Sequence, residues 1–102
     1  MKSIVYSDTG DSSVLSLAER SIAEPGPGEV RVRVTVSGVN PTDWKARAGA
    51  GIAFDEVVPN QDGAGIIDAV GEGVSGLGVG DRVWIFLAAH ERPTGTAQEY
   101  TV

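Results

Sequence analysis

Three glycines, Gly71, Gly73 and Gly76, give the stretch "GEGVSG" the spacing of a turn that holds the pyrophosphate of a dinucleotide. Such a turn needs a helix that begins within the motif, because the free N–H groups and the positive end of the helix hold the anion. Here "LGVGDRVW" follows, and each of its glycines costs a helix about 1 kcal/mol relative to alanine. We therefore expect a glycine-rich loop between two antiparallel strands, and no dinucleotide site.

Metal chemistry is not expected either. The chain has no cysteine, so it offers neither a disulfide framework nor a thiolate metal ligand. Its one histidine, His90, stands beside Glu91, Arg92 and Pro93, which is typical of an exposed loop. No zinc is predicted.

A second group of side chains that could take part in binding or catalysis lies in "NPTDWKARAG", residues 40–49. Asn40 followed by Pro41 is typical of a helix start, and Gly49 suits the residue just past the end. The segment predicts one helix of about two turns. Within it, Asn40 suits a helix cap, Asp43 can complement the helix dipole, and Trp44 is typical of core or rim packing.

Short strands are expected to position this helix. In "EVRVRVTVSGV", the alternating residues Val30 to Val36 predict a buried face, and Arg31, Arg33 and Thr35 a solvated one. Further strands are predicted at "SIVY", "SVLSLAER", "DGAGIIDAV", "DRVWIFLA" and "GTAQEYTV", with a loop at "AGIAFDEVVPNQ" (residues 50–61). Many short strands with one helix predict a mainly β fold, a small barrel.

Composition excludes several classes of protein. A length of 102 residues with 41 % hydrophobic and 22 % charged residues indicates one globular domain. The net charge of −6 argues against binding to nucleic acid or to an anionic membrane. The start "MKSIVYSDTG" lacks the apolar core of a signal peptide, and no stretch is apolar enough to span a membrane. A cytoplasmic protein is expected.

The ordered segments "GVNPTD", "DGAG", "VGDRV" and "AQEY" make the whole chain resemble the N-terminal region of the medium-chain dehydrogenase/reductase superfamily. The chain looks most like the zinc-independent quinone oxidoreductase branch. The resemblance implies a GroES-like β-barrel over residues 1–102, with the nucleotide-binding Rossmann domain lying beyond it. It also implies hydride transfer from NADPH to a quinone or an activated alkene. We expect this chain alone to be inactive and the whole parent protein to be a homodimer.

The resemblance also assigns candidate site residues. Zinc-dependent relatives carry a cysteine where this chain has Asn40, and Gly-His-Glu where it has Asn60, Gln61 and Asp62, which implies that no zinc is bound. Asn40 and Asp43 are the catalytic candidates. Asn40, Trp44 and Lys45 are the candidates for cofactor contact, although some relatives carry an aromatic residue in place of Lys45. The substrate-pocket candidates are Ile52, Phe54, Gln61 and Asp62, of which Ile52 and Phe54 equally suit loop packing.

Two other functions remain open from the sequence. The first is an enoyl reductase of the same superfamily, including those in polyketide synthases. The second is a free-standing barrel that acts as a binding module, like the co-chaperonin. That role needs a mobile apolar loop and ring assembly, for which "AGAGIAFDEVV" is weak evidence.

Overall fold

A computed structural model describes residues 1–49 and 51–102. The elements of these residues are, in chain order, β1 (Lys2–Val5), a 3₁₀ turn (Ser12–Val14), β2 (Ser16–Glu19), β3 (Val30–Gly38), α1 (Pro41–Ala48), β4 (Asp62–Val70), β5 (Arg82–Ile85) and β6 (Tyr100–Thr101). The fold is mainly β, as predicted. None of the helices in this described part of the chain has the length and apolar character needed to cross a bilayer.

The strands form two sheets. β1 and β2 make an antiparallel pair, and the larger sheet has the order β5-β4-β3-β6 with every neighbouring pair antiparallel. Ile67 in the middle of β4 is fully buried, with Val32 of β3 beside it in the register. Isolated bridges at Ser3–Gln98 and Tyr6–Val57 join the β1 region to the rest of the molecule. The buried apolar residues come from the end of β1 and the residue after it, from β3 and β4, and from the segment before β4: Val5, Tyr6, Val32, Val57, Val58 and Ile67.

The alternation predicted for β3 is only partly correct. Val32 is buried, but Val36 has 60 % of its surface exposed, and Arg31 is largely covered. The cause is a pair of irregularities in the pairing with β4, one between Arg31 and Val32 and one between Val34 and Val36. At the first, Asp68 is an extra residue in β4, close to Arg31. At the second, Thr35 is an extra residue in β3, and because side chains alternate with a period of two it exchanges the faces of β3 beyond it, so that Val36 turns outward.

Arg31 is therefore not part of a solvated face. Its Nε and Nη2 donate to the two carboxylate oxygens of Asp68 at 2.9 and 3.1 Å, and its Nη1 donates to Glu24 at 3.1 Å. The guanidinium carbon also lies 5.6 Å from the centre of the Tyr100 ring. The expectation of an ordinary solvated arginine is wrong for Arg31, whereas Arg33 is exposed as predicted.

The stretch from Gly71 to Gly80 connects β4 to its antiparallel neighbour β5, which confirms the loop prediction. Gly71 lies against the main chain of Gly26, where a Cβ atom would overlap with the carbonyl group. Its N–H donates to the carbonyl of Glu29 at 2.7 Å. Gly73 and Gly76 have positive φ angles of 80° and 81°, which favour glycine. The glycines therefore serve close approach and turning of the chain.

Several predicted boundaries differ from the observed ones. "SVLSLAER" begins with the 3₁₀ turn, and "DRVWIFLA" leaves the sheet after Ile85, two residues before Leu87 adopts a positive φ of 58°. Only Tyr100 and Thr101 of "GTAQEYTV" form a strand. The predicted loop at residues 50–61 contains two isolated bridge residues, Val57 and Val58, and its first residue, Ala50, lies outside the described residues.

Candidate functional site

The end of β3, the start of α1 and the start of β4 meet at one junction. Gly38, the last residue of β3, pairs with Asp62, the first residue of β4. Asn40 follows two residues after Gly38 and is the N-cap of α1. Its Nδ2 donates to Oδ2 of Asp62 at 2.7 Å, and both residues are partly buried. The two predicted site residues Asn40 and Asp62 are thus in direct contact.

Asp43 completes the start of the helix. Its Oδ2 accepts a hydrogen bond from the backbone N–H of Asn40 at 2.7 Å, which is the reciprocal half of a capping box. Only 8 % of its surface is exposed. The carboxylate also lies at the positive end of α1, where negative charge is stabilising. This geometry assigns Asp43 a role in holding the helix start, whereas its catalytic role stays a prediction.

A series of hydrogen bonds with a single order of donation ends at the backbone carbonyl of Asp62 and supports the junction. Asn60 Nδ2 donates to Ser37 Oγ at 2.8 Å, and Thr96 Oγ1 donates to the backbone carbonyl of Asp62 at 2.7 Å. Ser37 Oγ and Thr96 Oγ1 lie 2.8 Å apart. Because Thr96 has one hydroxyl proton and gives it to Asp62, Ser37 must be the donor in the middle bond. The order of donation is therefore Asn60, Ser37, Thr96 and Asp62.

Gln61 ties the same junction to the segment that follows β5. Its backbone carbonyl accepts from the N–H of Ala88 at 2.9 Å, and its Oε1 accepts from the N–H of Ala89 at 3.0 Å. His90, next along this segment, is exposed as predicted. A small cavity of about 60 Å³ lies behind Gln61, with Asp43, Tyr6 and Ala89 among its lining residues.

Tyr6 is the least exposed ring near the site, with 5 % of its surface accessible. Burial raises the pKa of its phenol above the ordinary value of 10.0. The positive charge of Arg47 opposes this shift, and the negative charge of Asp43 adds to it. Tyr6 thus lines the cavity together with Asp43.

The other predicted site residues lie away from these hydrogen bonds. Trp44 has 50 % of its surface exposed, and the ammonium of Lys45 lies 5.8 Å from the centre of the Trp44 ring. Phe54 is 36 % exposed and Ile52 is half-buried. The structure thus joins Asn40, Asp43, Gln61 and Asp62 at one junction. The cofactor contact of Trp44 and Lys45 and the apolar mouth at Ile52 and Phe54 stay predictions.

At the glycine-rich loop, the described residues 71–80 contain no helix start of the kind that a dinucleotide turn requires. The N–H of Gly71 donates to the carbonyl of Glu29, that of Gly78 to the carboxylate of Asp81, and that of Gly80 to the carbonyl of Ile67. These N–H groups are occupied within the protein, and β5 rather than a helix follows the loop. Within residues 1–49 and 51–102, no three or more histidine or acidic side chains are grouped in a way that would hold a metal ion.

The family model of the alcohol dehydrogenase GroES-like domain matches residues 26–102. This chain belongs to that family. Its relatives include members of the medium-chain dehydrogenase/reductase superfamily, among them quinone oxidoreductases.

Among characterised relatives, the chain is 37 % identical over 110 residues to 2-methylene-furan-3-one reductase of Solanum lycopersicum, with 99 % of this chain and 28 % of the relative covered. It is 39 % identical over 90 residues to trans-enoyl reductase fsr4 of Gibberella fujikuroi, covering 84 % and 25 %. It is also 33 % identical over 89 residues to a synaptic vesicle membrane protein VAT-1 homolog-like protein of Mus musculus, covering 85 % and 21 %.

Solved structures give the same result. The quinone oxidoreductase of Coxiella burnetii superposes with a TM-score of 0.87 at 25 % identity, covering 99 % of this chain and 33 % of that one. The Escherichia coli quinone oxidoreductase complexed with NADPH superposes with a TM-score of 0.79 at 28 % identity, covering 87 % and 28 %. The chain therefore spans between about a fifth and a third of the length of these relatives.

Sequence reasoning missed the residues that support the junction. Ser37 and Thr96 are 59 positions apart, and Tyr6 is remote in sequence from Asp43, so no local spacing links them. One signal was available for Thr96, because Gly95 before it marks a close approach of two main chains. A Cβ atom at Gly95 would overlap with the carbonyl groups of Val58 and Pro59.

Proposed function

We propose that the chain is the N-terminal substrate domain of a reductase that transfers hydride from NADPH to a quinone or an activated alkene without zinc. The similarity to quinone oxidoreductases and to an NADPH-complexed member supports this proposal. NADPH would supply the hydride, and this domain would orient the acceptor. We further propose a cytoplasmic location and a homodimeric parent protein.

One observation carries the proposal. At the positions where zinc-dependent relatives have metal ligands, this chain places a carboxamide and a carboxylate that bind each other, Asn40 Nδ2 to Asp62 Oδ2 at 2.7 Å. An amide and a carboxylate already engaged in this way are a poor site for zinc, which prefers thiolate and imidazole ligands. The same pair suits recognition of a polar group on a ligand. In this role Asn40 would contact the nicotinamide or the substrate carbonyl.

The exposed apolar residues support a partner domain. Trp84 of β5 has 77 % of its surface exposed, and Phe86, whose ring centre lies 6.1 Å from that of Trp84, has 66 % exposed. Apolar patches of this kind mark interaction surfaces. We propose that a nucleotide-binding domain beyond this chain contacts this region, and that residues 1–102 alone bind NADPH weakly or not at all.

The reading frame beyond the codon for Val102 is the first test. The proposal expects it to continue into a βαβ unit with a glycine fingerprint that begins a helix. The protein from the whole frame should then oxidise NADPH in the presence of 1,4-benzoquinone, and the rate should fall about 100-fold in the Asn40→Ala variant. A stop codon directly after Val102, or a complete protein without NADPH oxidation by any quinone or enone, would contradict the proposal.

A titration of residues 1–102 with NADPH, followed by the fluorescence of the reduced nicotinamide, tests whether NADPH binding requires a further domain. The expected result is no saturable binding at micromolar concentrations. The variant Gly73→Ala is the control, because a dinucleotide turn needs glycine there for the approach of the pyrophosphate, whereas the loop has space for a methyl group and loses only about 1 kcal/mol of stability through the positive φ. Micromolar binding that is lost in Gly73→Ala would show that the glycine-rich loop binds NADPH, contrary to the proposal.

The similarity to a trans-enoyl reductase favours one second candidate, reduction of an enoyl thioester by the same domain. Both reactions place a carbonyl conjugated to the reacting carbon near Asn40. The ratio of kcat/KM for a trans-2-enoyl thioester to that for 1,4-benzoquinone distinguishes them. A stand-alone binding module remains the third possibility, and a heptameric mass of residues 1–102 by light scattering would support it.

A further inference from the structure

The hydrogen bond between Asn40 and Asp62 has a direction that chemistry imposes. A carboxylate accepts hydrogen bonds and does not donate them, whereas a carboxamide has one donor end and one acceptor end. Only the Nδ2 end of Asn40 can therefore face Asp62, and the observed contact runs from Nδ2 to Oδ2 at 2.7 Å. The covalent geometry of the amide then turns Oδ1 away from Asp62.

The second asparagine of the chain is oriented by a neutral partner rather than a charged one. Asn60 Nδ2 donates to the hydroxyl of Ser37 at 2.8 Å. Because Ser37 gives its one proton to Thr96, the Ser37 oxygen accepts from Asn60, and Asn60 therefore also presents its Nδ2 end. The two asparagines therefore differ in their acceptor, which is a charged carboxylate for Asn40 and a neutral hydroxyl oxygen for Asn60.

Asp62 is itself held in place on several sides. Its backbone carbonyl accepts the proton of Thr96, which is fully buried. In the sheet, Asp62 is paired with Gly38 of β3. The carboxylate thus projects from a fixed point of the sheet towards the N-cap of α1.

We infer that Asp62 is a positioning residue, whose carboxylate fixes the orientation of the Asn40 carboxamide and thereby determines which end of the amide meets a ligand. This role for Asn40 towards a ligand rests on the proposed function. The fixed orientation itself is a property of residues 1–102. An oriented amide distinguishes a ligand acceptor from a ligand donor, and an amide that flips does not.

Nuclear magnetic resonance of the ¹⁵N-labelled chain tests the inference directly. The chain contains four side-chain carboxamides, those of Asn40, Asn60, Gln61 and Gln98. In the wild-type protein, one Nδ2 proton of Asn40 should be shifted downfield and protected from exchange with solvent. In Asp62→Asn, the bond becomes neutral and both amide orientations are allowed. The downfield shift should then decrease, and exchange should be about tenfold faster, because hydrogen bonds to charged groups are the stronger ones.

Two controls separate positioning from a general loss of structure. The amide pair of Asn60 should keep its shift in Asp62→Asn, and Asp62→Glu should restore most of the protection of Asn40 because it retains the carboxylate. Asp55→Asn, which removes a carboxylate from the exposed part of the loop, should leave the Asn40 signals unchanged.

Each outcome decides the inference. A wild-type Asn40 amide that exchanges as fast as a free amide, or one that does not respond to Asp62→Asn, overturns it. If Asp62→Asn fails to fold, the wild-type protection and the Asp62→Glu variant decide the question. The measurement uses no ligand, so an absence of reductase activity in the whole protein would contradict the proposed function and leave this result standing.

Discussion

Two regions of this molecule carry residues typical of cofactor chemistry, and they are built in opposite ways. The connection from Gly71 to Gly80 has the spacing of a dinucleotide turn, yet its glycines serve close approach and chain reversal. The junction at Asn40 and Asp62 has no recognisable spacing, yet it joins three elements through directed hydrogen bonds. The comparison teaches that a motif requires its structural context, whereas a site is defined by where its donors and acceptors point.

The largest effect is expected at the loop, from Gly71→Ala. The added methyl group would overlap with the carbonyl of Gly26 and separate two main chains, at a cost of about 3 kcal/mol in the free energy of unfolding. Gly73→Ala is the matched control, since its position has no atoms within 4 Å and only its positive φ opposes a side chain, at about 1 kcal/mol. Urea unfolding followed by far-ultraviolet circular dichroism measures both. Equal losses would contradict the close-approach explanation.

The next effect is expected at the junction, from Thr96→Val. The substitution keeps the shape of the fully buried side chain but removes the proton given to the Asp62 carbonyl, so the free energy of unfolding should fall by about 2 kcal/mol. Thr94→Val is the control. Its Oγ1 is buried and has no hydrogen-bond partner among residues 1–49 and 51–102. That variant should unfold at the same urea concentration or a higher one, and a loss as large as that of Thr96→Val would argue against the hydrogen-bond chain.

A smaller effect sharpens the comparison of the two faces of β3. Arg31→Met removes a bidentate bond to Asp68, whereas Arg33→Met changes an exposed side chain. Arg33→Met should change the free energy of unfolding by less than about 0.5 kcal/mol, and Arg31→Met should lower it by more than that. The difference should shrink in 1 M salt only slightly, because Arg31 is largely covered. Identical urea midpoints for the two variants would support a simple alternation of buried and exposed side chains along β3.

The smallest effect concerns pH and Tyr6. Because burial raises the pKa of Tyr6 in the folded state, folding favours the protonated phenol. The resulting contribution to stability is fully present below the unfolded pKa, near 10.0, and is lost as pH rises through the higher folded pKa. Urea midpoints between pH 9 and pH 12 should therefore fall more steeply for the wild type than for Tyr6→Phe. Tyr100→Phe controls for the loss of a tyrosine. If the urea midpoints of the wild type and Tyr6→Phe fall in parallel with pH, the raised pKa of Tyr6 is contradicted.

The sequence alone predicts the element types well, because local patterns determine them. Asn40, Pro41 and Gly49 mark the ends of α1 as observed, and the glycines after Gly71 exclude a helix there. It does not predict the faces of β3, because the extra residue at Thr35 is defined only by the pairing of β3 with β4. The alternation of valines is a local pattern, and a bulge is decided between strands.

In the candidate site, too, local features were predictable from the sequence and contacts between distant residues were not. The sequence identified Asn40 as the N-cap and placed Asp43 near the helix dipole, but the hydrogen bond between them was found only in the structure. Asp62 entered only through the family resemblance, and its bond to Asn40 spans 22 positions. Ser37 and Thr96 carry no pattern at all in the sequence, since a hydroxyl at a strand end is common, and only the folded chain brings the two together.

Both tryptophans of the chain lie largely in water, Trp44 with 50 % and Trp84 with 77 % of the surface exposed. Their emission spectrum therefore already resembles that of the unfolded chain, and it will change little on denaturation. The same exposure makes Trp84 an intrinsic sensor of contact, because any domain that covers β5 will shift its emission to shorter wavelength. In this molecule tryptophan emission reports association far better than it reports folding.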